Sequence, residues 1–295
     1  MLSFKPITLS DKTIINSYLD RRKSNLFTYS FEVLYLWRDV YDFQYAVLCD
    51  MLLMKTCVDG RHYFLFPAGN GDTKTVLENL FQHAEYLESP FLMGQITQQD
   101  KKLMERLFPD KFNFIPARGE FEYLYDTGRL ASLSGNALQA KRNNINFLQN
   151  HHSWEFAVMT PDNLHACIAY SKAWDDTYND NPKSKLFVEN KAIYEAFDHF
   201  EELGLDGGLL RIDGEIKAIT MGCRLNDDVY LCLFEKANHL LRGAYTLINR
   251  EFVRRFATGY NYVNRAEDGG VEGLRQAKLS YHPAILLEVF QAVLK

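Results

Sequence analysis

Apolar residues recur along this chain at two spacings, and each spacing predicts one kind of element. Residues three or four apart share apolar character in stretches such as Thr73–Leu87 and Ala244–Ala257, which predicts helices that bury one face. Short apolar runs such as Met51–Cys57 and Val229–Phe234 lie between turn residues and predict strands. Helices and strands are mixed throughout, so the pattern predicts an α+β fold with mixed sheets.

The predicted elements follow the same order in both halves of the chain. Each half reads strand, two helices, a three-stranded meander, and then helix, strand, helix and strand. The dipeptides Asp59-Gly60 and Asp213-Gly214 predict tight turns within the two meanders, because both positions of such a turn favour positive φ. The last predicted element is one continuous run, Ala284–Leu294.

The length of 295 residues favours two domains, since a typical domain has roughly 100–200 residues. The repeated order of elements places the boundary near Thr127–Gly135. We therefore predict an N-terminal domain over residues 1–130 and a C-terminal domain over residues 131–295. A polar helix over residues 136–150 is expected to link them.

Charge and cysteine content exclude several classes of protein. The net charge of −5 provides no overall attraction to DNA. The five cysteines contain no C-x-x-C pair and no zinc-finger spacing, so we expect no metal site and a reducing compartment.

The sequence also lacks the signals of a membrane or secreted protein. No apolar run approaches the ~20 residues that cross a bilayer, and the N-terminus has no signal-peptide core. We therefore expect a cytoplasmic protein without a transmembrane anchor.

The densest group of charged residues follows the predicted strand Tyr260–Val263. Glu267 and Asp268 lie just beyond that strand, and Gly269 and Gly270 allow a sharp turn into a short helix. A carboxylate in a pocket can act as a general base, and we name both acids as catalytic candidates. The alternative is that they cap the following helix, where acids are favoured.

Two cations occupy one face of that short helix. Arg275 and Lys278 lie three residues apart and are candidates for binding a phosphate or a carboxylate of a substrate. Alternatively, Arg275 pairs with Glu272 one turn earlier, an interaction of only about 0.2–0.5 kcal/mol.

A second basic group lies in the predicted linking helix. Lys141, Arg142 and Asn143 follow one another and are candidates for binding substrate phosphate, whether from tRNA, CoA or a lipid head group. Ile145 and Leu148 are expected to hold this helix against a domain. The alternative is a solvated basic face.

Four segments in the linker and the C-terminal half carry a family resemblance. They are Leu133-Ser134-Gly135 leading to Ala140–Asn146, then Leu203–Gly208, then Phe234–Phe252 with its Arg242-Gly243-Ala244-Tyr245, and finally Asn264–Pro283. With these segments the chain resembles the DUF2156 family, the proteins related to the C-terminal domain of lysylphosphatidylglycerol synthase. The first third matches weakly, through Leu36-Trp37-Arg38 and Phe66–Gly69.

The resemblance implies a tandem GNAT fold like that of the Fem-type aminoacyl transferases. Those relatives use aminoacyl-tRNA as donor, whereas ordinary GNAT enzymes use acyl-CoA. In GNAT folds the donor pyrophosphate binds where a strand meets a helix, which here is Arg242, Gly243, Ala244 and Tyr245. The usual glycine-rich loop is degenerate at this position, and an ordinary helix start is the alternative.

Further roles follow from the same resemblance. Glu235 ends the third strand of the meander, where GNAT strands separate and admit substrate, so it is a candidate for orienting an acceptor. Tyr281 is a candidate general acid, with a core tyrosine as the alternative. Relatives often carry another polar or acidic residue where this chain has Ala266.

These observations favour a transferase that moves an activated acyl or aminoacyl group to an amine or hydroxyl. The donor is aminoacyl-tRNA or acyl-CoA, the acceptor a small molecule or a lipid head group, and no cofactor is required. The alternative is a non-catalytic GNAT-like module that binds a nucleotide or a phosphorylated ligand. A third reading is RNA binding through Lys141 and Arg142, with tRNA as partner.

Overall fold

A computed structural model describes residues 2–178 and 185–295 of the chain. It has the predicted α+β architecture, with helices packed on two mixed sheets. The helices are α1 Lys12–Arg22, α2 Phe31–Leu36, α3 Arg38–Tyr41, α4 Thr73–Tyr86, α5 Gln98–Leu107, α6 Thr127–Ser132, α7 Gln139–His151, α8 Pro161–Tyr178, α9 Lys185–Asp198, α10 Ala244–Phe252 and α11 Glu272–Leu279. The strands are β1 Lys5–Pro6, β2 Gln44–Leu48, β3 Met51–Val58, β4 Arg61–Leu65, β5 Ala68–Gly69, β6 Leu92–Ile96, β7 Phe112–Pro116, β8 Glu122–Asp126, β9 Trp154–Val158, β10 Asp206–Ile212, β11 Glu215–Arg224, β12 Val229–Ala237, β13 Tyr262–Glu267, β14 Ile285–Leu287 and β15 Phe290–Leu294.

The chain divides into two compact units. Unit 1 comprises Met1–Glu122, Glu267–Glu272 and Leu286–Lys295, and unit 2 comprises Tyr123–Ala266 and Gly273–Ile285. Two short segments from the C-terminal part of the sequence therefore belong to the unit that contains the N-terminus.

The sheet of unit 1 has the order β1-β2-β3-β4-β6-β15-β7, with β5 paired to β3. Strands β4 and β6 are parallel, and α4 packs its buried residues Leu77 and Leu80 into the core beside Phe64. The C-terminal strand β15 lies between β6 and β7 and is antiparallel to both. This core is rich in phenylalanine.

The second sheet has the order β14-β8-β13-β12-β11-β10-β9. Helices α7 and α10 cover it, and Ile145 and Leu148 of α7 are fully buried in the same cluster as Tyr230 and Phe252. The predicted apolar anchor of the linking helix is therefore confirmed. The end of α10 continues as a π-helical turn, Val253–Ala257.

The predicted hairpin turns are also confirmed. Asp59 and Gly60 have φ values of 50° and 74°, and Asp213 and Gly214 have values of 52° and 85°. Two consecutive positive φ angles match the right-handed twist of the strands that the turn joins, and aspartate followed by glycine tolerates them best. The meanders of both halves therefore depend on local turn chemistry.

The structure differs from the sequence prediction in the final segment. The expected single run Ala284–Leu294 forms two strands, β14 in the second sheet and β15 in the first. Similarly, the strand predicted to complete the N-terminal half forms β8 and joins the second sheet beside β13. Which sheet a short apolar strand joins depends on distant partners, so a local pattern does not reveal it.

Candidate active site

Unit 2 contains a point where two parallel strands separate. Within the described residues, β12 and β13 pair at Val229 with Tyr262, Tyr230 with Val263, and Leu231 with Asn264, and they pair no further. Both strands continue, β12 to Ala237 and β13 to Glu267. We call this point the strand divergence, and it leaves room for side chains where a ladder of backbone hydrogen bonds would otherwise continue.

A buried ion pair joins the two separated strands. Nη2 of Arg265, on β13, lies 2.9 Å from Oε1 of Glu235, on β12. The side chains are only 14% and 10% exposed. Asn249 of α10 donates from Nδ2 to the other carboxylate oxygen at 2.8 Å, so both oxygens of Glu235 are engaged.

Arg265 has one further donor group that is available. Its Nη1 is buried and has no hydrogen-bond partner among the described residues. Burial opposes the charge of Arg265, but Glu235 together with Tyr281, Tyr125 and Cys232 outweighs burial and holds the pKa of Arg265 above its ordinary value. The guanidinium therefore stays charged and presents an N–H in a site of restricted water access.

Tyr281 lies beside this ion pair and contacts a second cation. The centroid of its ring is 4.9 Å from Cζ of Arg265 and 3.9 Å from Nζ of Lys141. Its hydroxyl donates to Oγ1 of Thr246 at 3.3 Å, and the ring meets Tyr125 edge-on with centroids 6.2 Å apart. Burial raises the pKa of Tyr281, so the phenol remains protonated at neutral pH.

Lys141 reaches the same place from the first turn of α7. Its ammonium donates to Oγ of Ser280 at 2.7 Å, and no carboxylate lies within 4.0 Å of it among the described residues. Burial, with a contribution from the charge of Arg265, lowers the pKa of Lys141 to about 8. We refer to Glu235, Asn249, Arg265, Tyr281 and Lys141 together as the Arg265 cluster.

The basic residues of α7 point to different partners. Arg142 donates from Nη1 to the carbonyl oxygens of Leu133 and Gly135, where it holds the loop before α7. Asn143 is exposed. Of the three candidates proposed from the sequence in this helix, only Lys141 belongs to the Arg265 cluster.

Lys278 of α11 is buried, and its ammonium donates to the backbone carbonyl of Arg265. The backbone carbonyl of Lys278 in turn accepts from the hydroxyl of Tyr125 at 2.8 Å. These two bonds fix the end of β13 and orient Arg265. Arg275, three residues earlier, is half-buried.

The junction before α10 packs against α7. Gly243 has φ of +98°, and a Cβ there would lie 2.3 Å from the carbonyl oxygen of Asn144. Arg242 donates from Nε to Oδ1 of Asn144 at 2.9 Å, and its guanidinium lies over the ring of Phe147. The candidates Ala244 and Tyr245 form the first turn of α10 and are buried and half-buried respectively.

The two acidic candidates that follow the predicted strand Tyr260–Val263, Glu267 and Asp268, belong to unit 1. Asp268 is fully buried, pairs with Nη1 of Arg118 at 2.8 Å, and accepts from the backbone N–H of Gly270 at 2.9 Å. Glu267 is half-buried, and its charge adds to the effect of burial in raising the pKa of Tyr41. The catalytic role assigned to both stays a prediction.

Comparison with known proteins assigns the chain to a family. The model of the family described as phosphatidylglycerol lysyltransferase, C-terminal, matches residues 20–293. The chain belongs to this family. A curated relative, an uncharacterised protein of Mycoplasmoides gallisepticum, is 24% identical over 172 residues, which are 56% of this chain and 54% of that relative. The chain thus spans about half the length of that relative.

Solved structures show the same fold over the whole chain. A protein of unknown function from Bacteroides thetaiotaomicron is 37% identical, with a TM-score of 0.96 over 100% of both chains. L-PGS from Bacillus licheniformis has a TM-score of 0.68 at 16% identity, over 96% of this chain and 91% of that one. FemX has a TM-score of 0.62 at 9% identity, over 98% and 97%. The fold is that of tandem GNAT and Fem-type transferases, as predicted.

Unit 1 of this member of the lysyltransferase family also contains a pair of parallel strands, β4 and β6, and Arg22 lies beside their ends. Strands β4 and β6 pair at Phe64 with Met93 and at Leu65 with Gly94, and after Pro67 the chain continues along β3 as β5. Arg22 donates to the Pro67 carbonyl at 3.2 Å and pairs with Asp100 at 2.7 Å.

Two aromatic rings flank the guanidinium of Arg22. Its Cζ lies 4.3 Å from the ring centroid of Tyr29 and 5.0 Å from that of Phe66. Arg22 thus joins Pro67, which follows β4, to Asp100, which follows β6; its Nε, like Nη1 of Arg265, is buried and has no hydrogen-bond partner among the described residues.

Four members of the site were not among the candidates from the sequence: Tyr125, Thr246, Asn249 and Arg265. Arg265 lies in the charged stretch after the predicted strand Tyr260–Val263, but the adjacent acids Glu267 and Asp268 gave the stronger signal. An arginine two residues beyond a predicted apolar strand is the pattern that would have identified it. Across residues 2–178 and 185–295, no helix has both the length and the apolar character needed to cross a bilayer.

Proposed function

We propose that unit 2 transfers an aminoacyl group from the ester of an aminoacyl-tRNA to a hydroxyl of a lipid head group, at the strand divergence. The observation that carries this proposal is the buried Arg265–Glu235 pair across the two separated strands. The family, whose description names a phosphatidylglycerol lysyltransferase, supports a lipid head group as the acceptor.

Arg265 is suited to stabilise the transition state. Attack on an ester carbonyl places negative charge on the carbonyl oxygen, and the buried Nη1 of Arg265 is a charged donor with no other partner among the described residues. Loss of one such donor in other acyl-transfer sites costs about 10²–10³-fold in rate. Glu235 holds the guanidinium, and Asn249 in turn holds the carboxylate of Glu235, so that no reorganisation is needed during the reaction.

The start of α10 supports an ester donor over acyl-CoA. In a CoA-dependent site the pyrophosphate contacts backbone N–H groups at such a helix start. Here the carbonyl oxygen of Asn144 approaches Gly243 closely, and Arg242 is already bound to Asn144 and Phe147. The partial negative charge of this carbonyl oxygen disfavours binding of a pyrophosphate at the same position.

The test is a transfer assay with the parent protein, a panel of tRNAs charged with radiolabelled amino acids, and vesicles that contain phosphatidylglycerol. We expect label in the lipid extract, with Arg265→Lys slowing single-turnover transfer by at least about 10²-fold because lysine lacks the planar fork of donors. Arg224→Met is the matched control, since Arg224 is exposed and pairs with Asp227 in a turn.

Two results would overturn the proposal. Label transferred from acyl-CoA but from no charged tRNA would assign the chain to conventional GNAT chemistry. Absence of turnover with every donor, together with a thermal shift on ligand binding, would indicate a non-catalytic binding module.

A further inference from the structure

The Arg265 cluster and the neighbouring Tyr125 and Cys232 contain six groups that could carry a proton or a charge, and five of them are unsuitable as a base. Both carboxylate oxygens of Glu235 are already engaged, by Arg265 and by Asn249. Arg265 is held in its charged form, and burial raises the pKa of Tyr281 and Tyr125, so both phenols keep their protons. Burial likewise raises the pKa of the Cys232 thiol to about 12. Lys141 is the remaining group, and burial beside Arg265 gives it a larger fraction of neutral amine than an ordinary lysine has.

The contacts of Lys141 explain why it differs from a surface lysine. Its nitrogen lies 3.9 Å from the ring centroid of Tyr281 and within hydrogen-bond distance of Ser280, and Arg265 adds a like charge nearby. Among the described residues no carboxylate compensates this charge. Desolvation and like-charge repulsion both shift such an ammonium toward the amine.

The groups that face Lys141 come from two other parts of unit 2. Arg265 belongs to β13, and Ser280 and Tyr281 follow α11. Tyr125 of β8 contacts the ring of Tyr281 and lies behind it. On its own helix, Arg142 is directed to backbone carbonyls of the preceding loop. Glu235, the one acid of the cluster, is already bound by Arg265 and Asn249.

We propose that Lys141 is the proton carrier of the transfer reaction in unit 2. This inference rests on the proposed function. The neutral amine accepts the proton of the acceptor hydroxyl as its oxygen bonds to the ester carbonyl carbon. When the bond from that carbon to the ribose oxygen breaks, the resulting ammonium returns the proton to the ribose oxygen, so the enzyme ends in its starting state.

This role differs from phosphate binding by a permanent charge, and the two make opposite predictions. Phosphate binding needs the ammonium form and tolerates arginine, whereas proton transfer needs an amine that titrates near neutral pH. Rates should therefore rise with pH through the pKa of Lys141, at about 8, and then level off.

The experiment measures single-turnover transfer from charged tRNA to phosphatidylglycerol vesicles by the whole chain at pH 6 to 9.5. We expect Lys141→Ala to lower the rate by about 10²–10³-fold and to remove the rise with pH. Small primary amines added to this variant should restore part of the rate, with an effect that grows with the basicity of the amine. Lys191→Ala is the matched control, because Lys191 is exposed on α9.

Lys141→Arg provides the decisive contrast. It keeps the charge but titrates far above neutral pH, so we expect it to be as slow as Lys141→Ala. Activity retained in Lys141→Arg, or absence of rescue by amines in Lys141→Ala, would overturn the proposal and would favour phosphate binding instead.

A second readout is independent of turnover. Reductive ¹³C-methylation and NMR give the titration of each lysine, and the signal absent from Lys141→Arg identifies Lys141. We expect its midpoint near 8, well below the ordinary lysine value of about 10.4. A midpoint above 10 overturns the proton-carrier role even in an active enzyme, whereas a parent protein with the low midpoint but no transfer activity overturns the proposed function and the role with it.

Discussion

Arg265 and Glu235 form a 2.9 Å ion pair between two strands that have already stopped pairing. Separated strands need side chains to hold them at a defined distance, and this pair does so while leaving one guanidinium nitrogen available. The same contact thus stabilises unit 2 and prepares a donor for catalysis. Its energetic role can be separated from its catalytic role by substitution.

Glu235→Gln should destabilise unit 2. Removal of the carboxylate leaves Arg265 buried without its counter-charge, a change that costs about 3–5 kcal/mol in buried pairs. Urea denaturation of the parent, Glu235→Gln, Arg265→Met and the double variant measures the coupling. We expect the double variant to be more stable than the sum of the single changes predicts; additive effects would contradict a direct interaction.

Gly243→Ala should lower stability by about 2–4 kcal/mol. The φ of +98° is unfavourable for alanine, and the new Cβ would lie 2.3 Å from the backbone oxygen of Asn144. Gly273→Ala is the control, because nothing lies within 4 Å of the added methyl group and α11 gains helix propensity of up to about 1 kcal/mol. Equal effects of the two substitutions on the urea midpoint would argue against this account of the α7–α10 contact.

Asp268→Asn should reduce stability, because it removes the charge that Arg118 pairs with in a fully buried position. We expect a loss of about 1–3 kcal/mol in the free energy of unfolding and strong coupling to Arg118→Met.

Glu267→Gln serves as the functional comparison. If Lys141 carries the proton, the pH profile of transfer should be unchanged in Glu267→Gln, whereas loss of that profile would restore the general-base role predicted from the sequence.

Acid should weaken the N-terminal part of unit 1 through Asp11. Burial opposes ionisation of this carboxylate, but hydrogen bonds from Tyr45, Thr8 and Lys5 outweigh it and lower the pKa of Asp11 below its usual range. A lowered pKa stabilises the fold above the unfolded value of about 3.9 and loses that contribution as the pH falls toward the folded value.

The corresponding measurement is urea denaturation of the parent and Asp11→Asn at several pH values. The stability difference should be constant above about pH 5 and should shrink below about pH 4. Asp110→Asn is the control, because the Asp110 side chain is fully exposed. A difference that persists unchanged at pH 3 would show that Asp11 contributes through packing and not through its charge.

Local features of the fold were predictable because they depend on neighbours in the sequence. The turns at Asp59-Gly60 and Asp213-Gly214, the buried face of the linking helix at Ile145, and the two-fold order of elements all follow from φ preferences and periodicity. The segment after α11 was not predictable in this way. Its apolar residues suit a strand, but their division between two sheets depends on partners far away in the chain.

By itself, the sequence determined the α+β class, the positions of the turns and the charged character of the stretch from Asn264 to Pro283. Only the tertiary structure decided which charges act together. Lys141 meets Ser280 across 139 residues, and Arg265 meets Glu235 across 30, while the neighbouring Arg142 turns to backbone carbonyls. The physical reason is that protonation and ion pairing depend on desolvation and on charges close in space, and neither is encoded by spacing along the chain.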